Sequence, residues 1–200
     1  MTSFFLIPWA RTTWCDEGRL AATTGLPLNQ AGLEELEQCA ASLQKEKITL
    51  LCSSTNETGV ATAKNIAKRL GAVSKTIEDL SEPTLGVWEG LTPDDLAKRY
   101  PKAYKQWLER PTTVCPPEGE DVEHAAARLH EAIQKLAAKY PNKAIGLVLG
   151  PIAKAIMRCH LENIDLDRLW EKVDEQPTCY RIDLALDPVD TADRMNAHGR

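Results

Sequence analysis

The sequence predicts an α/β protein, a three-layer α/β/α sandwich with a mostly parallel sheet. Apolar runs of strand length occur at residues 4–9, 48–52 and 144–149. Amphipathic segments with helical spacing separate these runs, and strands that alternate with helices favour a parallel sheet with helices on both faces. The chain has 200 residues, of which 43% are hydrophobic and 26% are charged. That size and composition are typical of one globular domain.

Residues 4–70 supply two strands and two helices. A buried strand at residues 4–9 is followed by a loop at residues 10–28, which contains Gly18, Gly25 and Pro27. Asn29 can cap a helix over residues 30–45, because its short polar side chain accepts from the first free amides. The second buried strand, residues 48–52, leads into a helix over residues 57–70.

The rest of the chain has shorter elements before one long helix. Thr92 can cap a short helix, which Tyr100-Pro101 interrupts before a second short helix ends at Glu109. The remaining predicted elements are a strand at 74–80, a Pro-rich loop at 111–119, a helix at 120–139, a strand at 144–149, a helix at 151–160 and a strand at 178–186. We therefore expect one domain over residues 1–186 and a polar tail over residues 187–200.

The composition argues against several classes of partner. A net charge of −5 does not favour nucleic acid or an anionic membrane, and no apolar run reaches the ~20 residues that span a bilayer. The N-terminus has no basic segment followed by a cleavage site, so it is not interpreted as a signal peptide. The six cysteines are scattered without a C-x-x-C pair. They predict reduced thiols in a cytoplasmic protein, with no metal and no cofactor.

The motifs lie near the predicted strand ends, where sites form in parallel sheets. Residues 6–15 read L-I-P-W-A-R-T-T-W-C, and Gly18-Arg19-Leu20 and Leu26-Pro27-Leu28 follow. Further along come Cys52-Ser53-Ser54 and Thr62-Ala63. The later blocks are Leu80-Ser81-Glu82, Leu85-Gly86-Val87-Trp88-Glu89-Gly90, Pro117-Glu118-Gly119-Glu120 and Val148-Leu149-Gly150-Pro151.

In this order and spacing, the blocks resemble the phosphoglycerate-mutase-like branch of the histidine phosphatase superfamily. The opening resembles that family's L-V-R-H-G-E-T-x-W-N, and the block around Trp88 resembles its G-x-W-E-G. The resemblance covers roughly residues 3 to 186. It implies a phosphoglycerate-mutase-like fold and, in typical members, phosphomonoesterase or mutase chemistry at a histidine nucleophile surrounded by phosphate ligands.

The residues at those chemical positions differ from the family pattern. The nucleophile position carries Trp9, whose indole N–H is a donor only and cannot attack phosphorus. Pro8 stands at the first arginine position, Thr58 at the second, and Gly150 at the second histidine. Because phosphoryl transfer depends on positioned positive charge and oriented donors, we expect no family catalysis from this cleft. We also expect the Trp9 indole to fill the volume that a phosphate would take.

Three side chains of the cleft are candidates for other roles. Glu82 stands where the family's proton donor usually sits, and Arg11 and Arg19 could contact a ligand. The alternative for Glu82 is a polar residue whose hydrogen bonds are made within the fold. The alternative for Arg11 and Arg19 is exposure to solvent in a loop. The four histidines, His124, His130, His160 and His198, do not fall at predicted strand ends.

Three functions therefore stay open from the sequence. The first is a catalytically inactive relative that acts as a binding or regulatory scaffold for an unknown protein partner. The second is a sensor of a small ligand, and the third is a divergent enzyme of this fold that uses non-family residues in the cleft. Relatives of the family are often monomers or dimers, so we expect a monomer or a homodimer.

Overall fold

Five strands form one sheet in the part of the chain that the structure describes. The computed structural model describes residues 2–20, 25–173 and 179–184. The strands are β1 (Thr2–Pro8), β2 (Leu50–Ser53), β3 (Val73–Thr76), β4 (Ala144–Leu149) and β5 (Tyr180–Leu184). Their order across the sheet is β3-β2-β4-β1-β5, and the first four are parallel while β5 runs antiparallel beside β1. The predicted mostly parallel sheet is confirmed.

Helices cover both faces of this sheet. They are α1 (Thr13–Asp16), α2 (Gln30–Leu43), α3 (Glu57–Leu70), α4 (Pro93–Arg99), α5 (Pro101–Glu109), α6 (Val122–Lys139), α7 (Pro151–Leu161) and α8 (Leu169–Val173). Short 3₁₀ turns occur at Gln44–Glu46, Glu78–Leu80, Gly86–Trp88, Pro111–Thr113 and Leu166–Arg168. Among the described residues, no helix has both the length and the apolar character needed to cross a membrane.

The alternation of side chains along β1 explains the three layers. Phe4 and Leu6 are buried on one face with the apolar sides of α6 and α7, whereas Phe5 and Ile7 are buried on the other with those of α2 and α3. Successive side chains of a strand point to opposite faces, so one apolar strand can supply both cores. The predicted three-layer sandwich follows directly.

Predicted caps fix where several helices begin. The Asn29 side chain accepts from the amide of Gly32 at 2.8 Å. Thr92 and Asp95 form a reciprocal capping box at the start of α4, with Pro93 in the first turn. Such caps satisfy amides that have no partner within the helix. The predicted interruption at Tyr100-Pro101 separates α4 from α5 as expected.

The structure differs from the sequence prediction in three segments, and one of them is α8, which the sequence did not predict. The predicted loop over residues 10–28 contains α1, and an isolated bridge joins Thr12 to Leu28. The predicted strand over residues 74–80 ends at Thr76, because its partner β2 ends at Ser53, which pairs with Thr76. The predicted end of the last strand and the tail from residue 187 lie outside the described residues, so the division at residue 186 stays a prediction.

Two of the sequence blocks that match the family pattern hold each other in place. The amide of Gly90 donates to the carbonyl of Leu20 at 2.8 Å, and the Leu20 amide donates to Leu91 at 3.0 Å. The Arg19 guanidinium donates to the Gly90 carbonyl at 2.9 Å. The Trp14 ring packs beside Gly90, where a β-carbon would lie 3.1 Å from it. These residues therefore join the first loop to the segment after Trp88.

A second pair of blocks meets at Gly86. This residue has a φ of +52°, and a β-carbon on it would lie 2.0 Å from the carbonyl oxygen of Pro117. The Val87 amide donates to that same carbonyl at 3.1 Å, and the Glu120 amide donates to Thr84 at 2.9 Å. Close backbone approach and a positive φ both require glycine here.

We predict that Gly86→Ala destabilises the protein by more than Gly71→Ala. Both glycines have positive φ, but a β-carbon on Gly71 meets nothing within 4 Å. The Gly71 variant should therefore show only the left-handed strain of about 1–2 kcal/mol, and the Gly86 variant should add the clash with the 117–119 loop. Urea unfolding of the two variants checks this, and equal losses would contradict it.

Candidate functional site

Three parallel strands end side by side at the candidate site. Because β4 lies between β1 and β2, the residues that follow β1 and β4, Trp9 and Gly150, are neighbours. The Trp9 amide donates to the Leu149 carbonyl at 3.0 Å, which extends the pairing of β1 and β4 by one residue. The carboxyl edge of the sheet is the place where α/β proteins form sites, and the Trp9, Ser53 and Gly150 ends meet there.

Gly150 has no room for a side chain. Its φ of −72° is accessible to any residue, so backbone conformation is not the reason for glycine. A β-carbon at this position would lie 2.5 Å from Oε2 of Glu82 and 2.8 Å from Cη2 of Trp9. The Glu82 carboxyl and the Trp9 indole therefore both occupy the space that a side chain of residue 150 would take.

Glu82 binds the start of α7. Its Oε1 accepts from the Ile152 amide at 2.7 Å, and its Oε2 accepts from the Ala153 amide at 2.8 Å. Gly150 offers no side chain to cap this helix, and Pro151 has no amide hydrogen. Free amides at a helix N-terminus are an anion-binding position. In this protein a carboxyl group from the chain itself takes that position.

Burial dominates the electrostatics of Glu82. The side chain is almost fully buried, and this raises the pKa of its carboxyl from an ordinary value of 4.5 to about 8. The amide donors of Ala153 and Ile152 and the charge of Arg128 act in the opposite direction on this pKa. The Glu82 carboxyl therefore titrates at about pH 8, whereas an ordinary glutamate is already ionised at that pH.

Arg128 is a neighbour of the site that the sequence analysis missed. It donates from Nε and Nη2 to the Glu120 carboxylate at 2.7 and 2.6 Å and from Nη1 to the Asp79 carbonyl at 2.9 Å. The two bonds to one carboxylate fix its guanidinium beside the segment that carries Glu82. Arg128 lies in the middle of a helix with no motif around it, so its spacing gave no signal.

Thr58 is engaged with the loop before α2. Its hydroxyl donates to the Leu26 carbonyl at 2.8 Å and accepts from the Leu26 amide at 3.1 Å. The Thr58 carbonyl accepts from the Thr62 hydroxyl, which accepts in turn from the Ala10 amide at 3.0 Å. This chain of bonds ties the residue after Trp9 to α3.

The two candidate ligand arginines are ion-paired on the surface. Arg11 lies 3.0 Å from Asp16 and 3.9 Å from Glu35, with about half of its side chain exposed (47%). Arg19 lies 2.5 Å from Glu17 and also donates to the Gly90 carbonyl. Their role as ligand contacts stays a prediction.

Three of the four histidines lie on helices. His124 is exposed on α6 and contacts Glu120 at 3.0 Å, whereas the rings of His130 and His160 meet edge to face with centroids 4.3 Å apart. Burial lowers the pKa of His160, and His130 adds to that effect. His198 lies outside the described residues. Within residues 2–20, 25–173 and 179–184, no three His, Cys, Asp or Glu side chains converge to hold a metal ion.

The protein is an α/β sandwich with its candidate site at the carboxyl ends of β1, β2 and β4. A family model described as the histidine phosphatase superfamily, branch 1, matches residues 4–186. The chain therefore belongs to the histidine phosphatase superfamily.

Individual relatives carry phosphatase or mutase names. The chain is 23% identical over 175 residues to phosphoserine phosphatase 1 of Hydrogenobacter thermophilus, covering 85% of this chain and 81% of that protein. It is 31% identical over 140 residues to phosphoglycerate mutase-like protein 4 of Arabidopsis thaliana, covering 68% of this chain and 61% of that protein. The predicted phosphoglycerate-mutase-like membership agrees with these names.

Solved structures share the fold. YhfR of Bacillus stearothermophilus superposes with a TM-score of 0.84 at 22% identity, covering 92% of each chain. The alpha-ribazole phosphatase of Shigella flexneri gives 0.80 at 20% identity, covering 92% of this chain and 91% of the other. At these identities the likeness shows the fold alone.

We predict that Glu82 makes the stability of the protein depend on pH. Because its folded-state pKa is raised, its contribution is complete below the ordinary value of 4.5 and is lost as the pH rises toward about 8. The free energy of unfolding of the wild type should therefore fall between pH 5 and pH 8 relative to that of Glu82→Gln. Urea unfolding at several pH values measures the difference, and parallel pH profiles would contradict the prediction.

We predict that Gly150→Ala destabilises the protein by about 1–3 kcal/mol, as overpacked sites commonly do. The same change should be less harmful in a Trp9→Ala background, because one of the two blocking groups is then absent. A double-mutant cycle by chemical unfolding measures this coupling. Equal costs in the two backgrounds would show that the Trp9 ring does not press on residue 150.

Proposed function

We propose that the protein is a non-catalytic histidine-phosphatase-like protein that acts as a binding or regulatory scaffold. The observation that carries the proposal is the Glu82 carboxyl bound to the first free amides of α7, with the Trp9 indole also packed against Gly150. A phosphate at this helix end would have to displace both groups.

The groups around the helix end support the same proposal by their chemistry. The indole at the nucleophile position has no lone pair to attack phosphorus. The Thr58 hydroxyl is already paired with both backbone groups of Leu26. A phosphate dianion needs positive charge to offset its desolvation, whereas Glu82 adds a titratable acid. Arg11 and Arg19 already pair with Asp16, Glu35 and Glu17.

A scaffold role is consistent with which sequence blocks match the family pattern. The segments around Arg19, Gly86 and Gly90 hold loops together through backbone contacts and close packing. These contacts preserve the surface of the fold without contributing a reacting group. We further infer a cytoplasmic location, which suits a chain whose six cysteines are free in this structure.

A divergent enzyme is the second candidate, and one observation favours it. A carboxyl group whose pKa is raised to about 8 suits general acid catalysis near neutral pH. Against this, both oxygens of Glu82 are bound to backbone amides. An acid in that arrangement would first have to leave the helix end.

Activity assays of the recombinant chain test the proposal. We expect no hydrolysis of p-nitrophenyl phosphate, phosphoserine or 3-phosphoglycerate above the level of a Trp9→Ala, Glu82→Gln double variant, and no acid-labile phosphorylated protein. The phosphoserine phosphatase of Hydrogenobacter thermophilus serves as the positive control. Turnover by the wild type that either single change abolishes would overturn the proposal and favour the divergent enzyme.

Binding of phosphate is a separate test of the filled helix end. A ligand that binds the native state raises its melting temperature, and we expect inorganic phosphate to leave the melting temperature unchanged. A chloride solution of the same ionic strength is the control. A phosphate-specific increase that Arg11→Gln or Arg19→Gln removes would instead support a small-ligand sensor.

A further inference from the structure

Two cysteines far apart in the chain meet on the α2 side of the sheet. Cys39 lies on α2, and Cys179 directly precedes β5. Their Sγ atoms are 2.7 Å apart although 140 positions separate the residues in the sequence. Both thiols are half-buried at the edge of the core formed by α2, α3 and the sheet. A disulfide bond is about 2.05 Å long, so only a small approach separates this pair from bonding distance.

The surroundings make the two thiols unequal. The hydrogen bond between the two thiols lowers the pKa of Cys179, and Ser42 and the charge of Lys154 act in the same direction while burial opposes them. The contact with Cys179, together with burial, raises the pKa of Cys39. Lys154 is itself buried on α7, so its positive charge is poorly screened by solvent. The thiolate is the reactive form of cysteine, and a neighbouring cation favours it.

We propose that Cys39 and Cys179 form a redox-active dithiol that small-molecule disulfides such as glutathione disulfide convert to an intramolecular disulfide. The role does not depend on whether the cleft is catalytic. The bond would join α2 to the residue that directly precedes β5. Intracellular proteins use such transient disulfides for redox sensing.

The reaction proceeds in two exchanges. The Cys179 thiolate attacks one sulfur of glutathione disulfide, the S–S bond breaks, and one glutathione leaves as a thiolate that takes up a proton. Cys39 then loses its proton and attacks the Cys179 sulfur of the mixed disulfide, which releases the second glutathione. The two glutathione molecules receive the two electrons and two protons that the protein dithiol gives up.

The other cysteines provide internal controls. Cys52 and Cys159 are buried, and burial raises the pKa of both, to about 11 for Cys52. Cys15 and Cys115 are exposed. Exposure without a partner thiol predicts mixed disulfides with glutathione at Cys15 and Cys115, not an internal bond.

The test uses the full chain incubated with glutathione disulfide, quenched with a thiol alkylator and digested for mass spectrometry. We expect a Cys39–Cys179 linked peptide in the wild type and in Cys15→Ser and Cys115→Ser, and none in Cys39→Ser or Cys179→Ser. The Cys39→Ser variant should instead retain glutathione on Cys179. In the wild type, oxidation should raise the melting temperature by roughly 5–10 °C, since the bond closes a long loop, and dithiothreitol should reverse the shift.

Two results would overturn the proposal. One is wild-type protein in which Cys15 and Cys115 carry glutathione while Cys39 and Cys179 are recovered as alkylated thiols. The other is a linked peptide that joins Cys39 or Cys179 to a different cysteine. Both readings come from the wild type, so they do not depend on whether the serine variants fold.

Discussion

The first free amides of helix α7, those of Ile152 and Ala153, are buried and need hydrogen-bond acceptors. Gly150 has no side chain, and Pro151 has no amide hydrogen, so the local sequence supplies no cap. The Glu82 carboxyl provides the missing acceptors from a loop 70 positions earlier. An unpaired buried amide costs about 1–3 kcal/mol. This contact also helps to exclude a side chain at Gly150, because a β-carbon there would lie 2.5 Å from Oε2 of Glu82.

The sequence blocks that agree with the family pattern have a structural explanation. Leu20 pairs with Gly90 and Leu91, Trp14 packs on Gly90, and Gly86 lets the 117–119 loop approach its backbone. These contacts hold long loops over the carboxyl edge of the sheet. The residues that depart from the pattern cluster where β1 and β4 end and where α3 begins. The residues that hold the loops together are thus different from the residues that depart from the family pattern at the strand ends.

The sequence was sufficient for the sheet and most helices, and it indicated that the strands ending near Trp9, Ser53 and Gly150 carry the candidate site. Apolar strand runs, the Asn29 and Thr92 caps and the Tyr100-Pro101 break are local signals, and each appears in the structure. It was insufficient for the length of β3, because that strand ends where its partner ends at Ser53. The bonds of Glu82 to α7, the position of Arg128 and the meeting of Cys39 with Cys179 are long-range contacts. Spacing along the chain has no means of indicating them.

The crowding at Gly150 also bears on how such a site could change over evolutionary time. A single substitution that placed an imidazole there would collide with both the Glu82 carboxyl and the Trp9 indole. Removing either neighbour first would leave a void or an unsatisfied helix end. Single substitutions toward a histidine-containing cleft would therefore each lower the stability of the protein. Residues 9, 82 and 150 would have to change together. Coupled packing of this kind opposes a stepwise return to the family residues by single substitutions.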